Sequence, residues 1–172
     1  MADVKPLILD SGIIKQMGTG DTLPVANGGT GYTAFPVAAI HKTATETVTS
    51  STTVQNDDAL FLSVIANATY MFIINGWVNA NAIGGWKAGF DYPAGATGSW
   101  NMMIGSTAYG GNSGLNSTVG ATSALNQNLH ITGYIVVSST AGNLTLKWAQ
   151  NASTINATTL SKGATMFLIR IS

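Results

Sequence analysis

The chain has 172 residues, a formal net charge of zero and no cysteine, and only 8% of its residues are charged, against roughly 25% in an average soluble domain. Because seven Lys and Arg residues are matched by seven Asp and Glu residues, the chain offers no basic surface for the phosphates of nucleic acid. The lack of cysteine excludes disulfides, thiolate metal sites and a cysteine nucleophile. We expect no cofactor and no nucleic-acid partner. With no secretory signal and only short apolar runs, we also expect synthesis in the cytoplasm without membrane insertion.

Residues 1–36 are predicted to form an extended N-terminal arm. They hold two short apolar patches, at residues 7–9 and 13–14, followed by a stretch rich in glycine. Glycine and proline disfavour a continuous helix, and the remaining apolar side chains are too few for a core. Such an arm becomes ordered by binding another surface, and a disordered tail is the alternative. The candidate attachment residues are Leu7, Ile8, Leu9, Ile13, Ile14, Leu23 and Val25.

From residue 37 to the C-terminus the pattern predicts β-strands and no helix. Residues 43–54 are polar and β-branched, which indicates an exposed or edge strand, whereas residues 60–66 form an apolar run typical of a buried strand. Further strands are predicted at 69–78, 86–90, 99–104, 129–138, 144–150 and 165–171. About eight short strands separated by turn residues predict an antiparallel β-sandwich over residues 37–172, and this number favours the jelly roll.

Residues 105–128 fit no regular element. They consist largely of Gly, Ser, Asn and Thr, with few apolar side chains between them. A loop of this length without secondary structure is uncommon inside a compact domain. We therefore expect this segment to pack on a partner or to be a functional loop.

The few residues suited to catalysis are not arranged as an active site. His41 and His130 have no carboxylate or second histidine at ligand or triad spacing, so we interpret both as structural. Asp57 and Asp58 are adjacent, and we interpret them as turn residues rather than an acid–base pair. The small number of charged side chains in the domain leaves little room for an active site or for ion-pair networks. We predict a protein without enzyme activity and without a metal site.

Four tryptophans, Trp77, Trp86, Trp100 and Trp148, lie on predicted strands. Burial in the sandwich core is favoured for Trp148, whose strand alternates. For Trp86 and Trp100 two alternatives to the core stay open, namely burial at a subunit interface and stacking on a sugar. Together with Tyr109 these two residues are the candidate interface or glycan contacts.

Several stretches of the sequence resemble proteins of tailed bacteriophages. Residues 20–31, Gly-Asp-Thr-Leu-Pro-Val-Ala-Asn-Gly-Gly-Thr-Gly, resemble a short repeat that recurs in the shafts and N-terminal parts of phage fibre proteins. The remainder is similar to a β-sandwich domain of phage virion proteins described as head fibres, capsid decoration proteins or tail-fibre tips. The stretches that carry this similarity are 67–72, 87–98, 143–151 and 162–171. The resemblance implies a homotrimer that attaches through its N-terminal arm.

The same resemblance implies a structural protein on the exterior of the virion, whose partners are copies of itself and the major capsid protein or another virion protein. A tail fibre generally carries a long shaft and a baseplate adaptor, and this sequence shows neither, so we favour a head fibre or capsid decoration protein. The alternative is a tail-fibre tip or receptor-binding module that recognises a host surface glycan. Its motivation is the segment 105–128 with Trp100 and Tyr109 nearby.

Overall fold

The computed structural model describes residues 7–10, 13–16, 37–122 and 124–172. The chain divides into two units, Met1–Pro36 and Val37–Ser172. In the first unit, strands β1 (Leu7–Asp10) and β2 (Ile13–Gln16) form an antiparallel pair. The predicted attachment residues at positions 7–9 and 13–14 therefore lie on strands. Leu23 and Val25 lie outside the described residues.

The described part of the second unit consists of β-strands joined by turns and bends, without a helix. Its strands are β3 (Val37–His41), β4 (Glu46–Val48), β5 (Gln55–Val64), β6 (Thr69–Ala80), β7 (Trp86–Asp91), β8 (Thr97–Ile104), β9 (Thr107–Gly114), β10 (Val119–Ala121), β11 (Ala124–Val136), β12 (Gly142–Ala149), β13 (Thr158–Leu160) and β14 (Thr165–Arg170). They form two antiparallel sheets, so the prediction of an all-β, sandwich-like protein is confirmed. No helix long and apolar enough to cross a membrane occurs in the described ranges.

The two sheets are connected by a nested pattern of strand pairs. The larger sheet has the order β3-β14-β6-β11-β8-β9, with β13 pairing to β6 and β4, and the smaller sheet has the order β10-β7-β12-β5. Between β5 and β12, the pairs are β8 with β9, β7 with β10, β6 with β11 and β5 with β12. Successive pairs alternate between the two sheets. The chain therefore crosses repeatedly from one sheet to the other.

Aromatic side chains from both sheets meet in the core. Phe90 of the smaller sheet contacts Phe72 and Trp100 of the larger sheet edge-on, with ring centroids 5.0 Å and 5.1 Å apart. Within the smaller sheet, Trp86 stacks on Trp148 at 6.1 Å. Removal of this apolar area from water is the main favourable term in folding. The chain therefore has an ordinary hydrophobic core, although few of its residues are charged.

A glycine makes room for one of these rings. A Cβ atom on Gly133 of β11 would collide with the ring of Phe72 and would lie 2.6 Å from the carbonyl oxygen of Ser99. Glycine is the one residue type that lets the ring and the neighbouring strand approach this closely. The ring of Phe72 therefore occupies the space on the inner side of the sheet that a side chain at position 133 would take.

Two of the element predictions are wrong. Residues 105–128 do not form a long loop, because they contain β9, β10 and the start of β11. Their apolar anchors Leu115 and Val119 are buried, and pairing with β8 and β7 satisfies the backbone. Residues 43–54 form a strand only at Glu46–Val48, because that short strand finds its partner in β13.

Candidate functional site

A buried cluster of charged side chains lies next to the start of the second unit. Lys42, which follows β3, and Asp57 of β5 are each 2% exposed. The Nζ atom of Lys42 lies 2.8 Å from both carboxylate oxygens of Asp57 and 2.8 Å from Oε2 of Glu46. The sequence predicts a turn at Asp57 and little room for ion-pair networks. The turn prediction is wrong, because β5 begins at Gln55 and its register turns Asp57 inward, and one small ion-pair cluster forms despite the low charge.

Asp57 is held by further donors from its own strand and from β12. Its Oδ1 accepts hydrogen bonds from the backbone N–H groups of Ala59 (3.0 Å) and Leu60 (2.8 Å). Its Oδ2 accepts one from Nε1 of Trp148 at 3.0 Å. A buried carboxylate is tolerated when it is paired and hydrogen-bonded in this way. The cluster joins Lys42 to β5 and β12.

The charge of Lys42 depends on this cluster. Burial by itself lowers the pKa of Lys42, but the hydrogen bonds and attraction to Asp57 and Glu46 outweigh burial, so its pKa is raised above the usual 10.5. A folded-state pKa above the unfolded one means that the stabilisation is complete below the unfolded value and is lost as pH rises through the folded value.

We therefore expect the free energy of unfolding to fall as the pH is raised above 10.5, and to fall less steeply in a Lys42→Met variant. Urea unfolding followed by tryptophan fluorescence over this pH range measures the effect. Lys162→Met, which removes an exposed lysine, is the matched control and should follow the wild type. Equal slopes for wild type and Lys42→Met would contradict the prediction.

The second candidate site is an apolar area on the outer side of the larger sheet. Cross-strand pairs place Val37 beside Ile169, Ile169 beside Met71, and Met71 beside Tyr134. Met71 is 40% exposed, Tyr134 49% and Ile171 58%. We call this area the outer apolar face. It consists of Val37, Met71, Ile73, Tyr134, Phe167, Ile169 and Ile171.

Polar side chains continue this face towards β8. Nδ1 of His130 lies 2.6 Å from Oδ1 of Asn75, and the hydroxyl of Thr132 donates to Oδ1 of Asn101 at 3.1 Å. These side chains are amides, hydroxyls and an imidazole engaged with one another. Among the described residues there is no group of three or more His, Cys, Asp or Glu side chains that could hold a metal ion.

A shallow groove of about 420 Å³ lies in the same side of the sheet. Its side-chain lining comes from Met71, Ser99, Asn101, Thr132, Tyr134 and Ile171. The groove offers apolar contact and hydroxyl or amide hydrogen bonds. This chemistry suits the binding of a neutral surface.

The candidate glycan and interface contacts lie elsewhere than predicted. Trp86 is 0% exposed and Trp100 is 2% exposed within the chain itself, which corrects the prediction that they contact a glycan or a subunit. Nε1 of Trp100 donates to the carbonyl oxygen of Gly114 at 3.0 Å. Tyr109 of β9 is half-buried and packs against the core. These residues stabilise the sandwich.

The exposed tryptophan is Trp77, with 58% of its surface accessible. The sequence carries the signal that identifies it. In β6 the buried residues Phe72, Ile74 and Val78 have even numbers, and side chains two positions apart share a face of a strand. Trp77 therefore lies on the same side as Met71.

Comparison with known proteins gives little information about this chain. No family model and no curated protein matches it. Among solved structures, it is similar to a chain in the structure described as "Structure of infectious bursal disease virus Gx strain", with 13% sequence identity and a TM-score of 0.23. The match covers 97% of this chain and 45% of that chain, so this chain spans less than half of the matched one. A likeness at this TM-score supports neither a shared fold nor a shared function.

Proposed function

We propose that this chain is a structural protein of a tailed-bacteriophage virion, a capsid decoration or head-fibre protein on the exterior of the particle. In this proposal it forms a homotrimer, residues 1–36 anchor it to the major capsid protein or another virion protein, and it has no enzyme activity. The observation that carries the proposal is the uncharged outer apolar face on a fully packed β domain, which suits association better than chemistry. The assignment to a phage rests on the resemblance of the sequence at residues 20–31 to a repeat of phage fibre proteins.

We infer that the domain is an eight-stranded jelly roll with additional strands. The nested pairs from β5–β12 inwards to β8–β9, alternating between two sheets, support this inference. In this description β3, β4, β13 and β14 extend the larger sheet. Two sheets of paired strands packed on a common core give the stiff scaffold that a particle surface needs.

The division of the chain supports attachment through the arm. The second unit contains the packed core, whereas residues 1–36 form a separate unit with apolar residues at positions 7–9 and 13–14. In a trimer three such arms bind one site, and each later contact is intramolecular, which raises the avidity. Short apolar segments are therefore sufficient for stable attachment.

Deletion of residues 2–31 tests the proposal. We expect the truncated protein to keep its β-sheet circular dichroism and trimeric mass, and to bind particles that lack this protein at least about ten-fold less than the full chain, because avidity is lost. Co-sedimentation with particles is the measurement. A full-length variant carrying Leu7→Ser, Ile8→Ser and Leu9→Ser separates the apolar contacts from chain length and should also lose binding. Undiminished binding of the truncated protein would refute the attachment role.

The alternative function, a tail-fibre tip or receptor-binding module for a host surface glycan, stays a prediction. Its original motivation is weakened, because residues 105–128 contain strands and Trp100 is buried. Incubating the same truncated protein with host cells distinguishes the two functions. Adsorption to cells above that of an unrelated protein would favour the receptor-binding module.

A further inference from the structure

The outer apolar face combines exposure with continuity. Met71, Tyr134 and Ile171 are each at least 40% exposed, and Ile169, Met71 and Tyr134 are adjacent on three paired strands. Single exposed apolar residues are ordinary on a protein surface, but a contiguous group marks an interaction site. This side of the sheet therefore requires a covering partner.

The size of this side of the sheet suits a subunit contact. The adjacent strands β3, β14, β6, β11 and β8, at about 4.8 Å spacing, give a width of about 24 Å. Residues 69–77 of β6, at about 3.3 Å each, give a length of about 30 Å. Because β3 and β14 have only 5 and 6 residues, the resulting area of about 700 Å² is an upper bound, and it is of the same order as the roughly 800 Å² that each partner buries in a standard interface.

The charge distribution favours a second copy of this chain as that partner. Around a symmetry axis a side chain near the axis meets its own copies, so a charged side chain would meet a like charge. No Asp, Glu, Lys or Arg lies on the outer side of this part of the sheet. This statement covers the outward positions of β3, β6, β8, β14 and residues 128–136 of β11, all of which the structure describes. Their Asn, Ser and Thr side chains both donate and accept hydrogen bonds. Such a face is complementary to itself.

The position of Val37 adds a second argument. Val37 begins the second unit and pairs with Ile169 at the edge of the same face. When copies associate through this face, their Val37 residues lie around one symmetry axis.

We propose that copies of this chain associate through the outer apolar face, with Met71, Tyr134 and Ile171 within the contact. The number of copies, three, is taken from the proposed function, and this part of the inference rests on it. The chemistry of the contact is apolar at these residues and neutral polar at the side of Thr132 and Asn101.

The test is the mass of variants of the full chain in solution, measured by light scattering. Met71→Glu combined with Tyr134→Glu places charge within the face, and we expect a folded monomer where the wild type is a trimer. Phe61→Glu is the matched control, because Phe61 is 41% exposed but belongs to β5 of the smaller sheet, and it should remain a trimer. Circular dichroism establishes that each variant is folded.

A second variant gives a positive signal that does not depend on dissociation. Because the sequence has no cysteine, Ile171→Cys introduces a single thiol per copy, and mild oxidation should form one disulfide in each trimer, which links two of its three chains and leaves the third unlinked. Lys162→Cys, at an exposed turn position, should give little cross-linked product.

Each outcome separates this inference from the proposed function. A wild-type monomer, or a Met71→Glu and Tyr134→Glu variant with the wild-type mass, would overturn the inference and would leave the face to a different virion protein. A wild-type oligomer of another size that the same variant dissociates would support the face and contradict the trimer. Arm-dependent particle binding is measured independently of all these results.

Discussion

Replacing Asp57 by asparagine is expected to lower the free energy of unfolding by about 3 kcal/mol. The substitution keeps the shape of the side chain, so it creates no cavity, but it removes the negative charge that faces the ammonium group of Lys42. Both residues are 2% exposed, and water cannot replace the lost partner. Breaking a buried ion pair on one side costs more than the pair contributes, because the remaining charge is left without compensation. Glu46, at 2.8 Å from Lys42, keeps the loss at the lower end of the usual range.

The matched control for this substitution is the next residue. Asp58→Asn makes the same chemical change at an exposed position, and we expect a change within about 0.5 kcal/mol. Equilibrium urea unfolding of the second unit, followed by tryptophan fluorescence, measures both variants. Equal effects at the two positions would show that the buried cluster does not carry the stability assigned to it.

Replacing Trp100 by alanine is expected to lower the free energy of unfolding by about 3–5 kcal/mol. The side chain is 2% exposed, its ring packs edge-on against Phe90 at 5.1 Å, and its Nε1 donates to the carbonyl oxygen of Gly114 at 3.0 Å. Its removal leaves a cavity between the sheets and takes away one of the two donors to the carbonyl oxygen of Gly114, which still accepts from the backbone N–H of Ser117 at 2.9 Å. Both losses act in the same direction.

Trp77→Ala provides a control with identical chemistry and opposite exposure. Because Trp77 is 58% exposed on β6, its truncation should change the free energy of unfolding by less than about 1 kcal/mol. Thermal unfolding of the two variants under the same conditions ranks them. A Trp77→Ala variant that is destabilised as much as Trp100→Ala would mean that the outer side of the sheet contributes to the core.

The strands with strong apolar alternation could be predicted from the sequence. The predicted strand at residues 144–150 is observed as Gly142–Ala149, with Leu144 and Trp148 buried, and residues 165–171 are observed as Thr165–Arg170. Local alternation is sufficient in these segments because each has one face in the core. The strand β9 could not be predicted in this way, since its Thr, Gly, Asn and Ser residues are placed by pairing with β8 and not by their own hydrophobicity.

The buried ion cluster was beyond prediction for a different reason. Lys42 and Asp57 are separated by 15 positions, and their contact depends on how the end of β3 packs against β5. Two adjacent aspartates occur in turns and in strands, and the sequence does not show which of the two side chains is buried. Asp57 could therefore not be distinguished from Asp58. The outer apolar face combines residues of β3, β6, β11 and β14, and it becomes visible only when the sheet order is known.

The nested pairing of the strands determines when the domain can fold. The inner pair of β8 and β9 is local in sequence, but the outermost pair, β5 and β12, joins Ser63 to Asn143 across 80 positions. Strand β3 pairs with β14, which is still more distant in sequence. Contacts between residues so distant in sequence form slowly, because loop-closure entropy is lost before the contacts are gained. During synthesis the strands β5 to β7 therefore emerge before their partners exist, with unpaired edges that favour aggregation. Strand β3 likewise has no strand to pair with until β14, at the other end of the second unit, has been made.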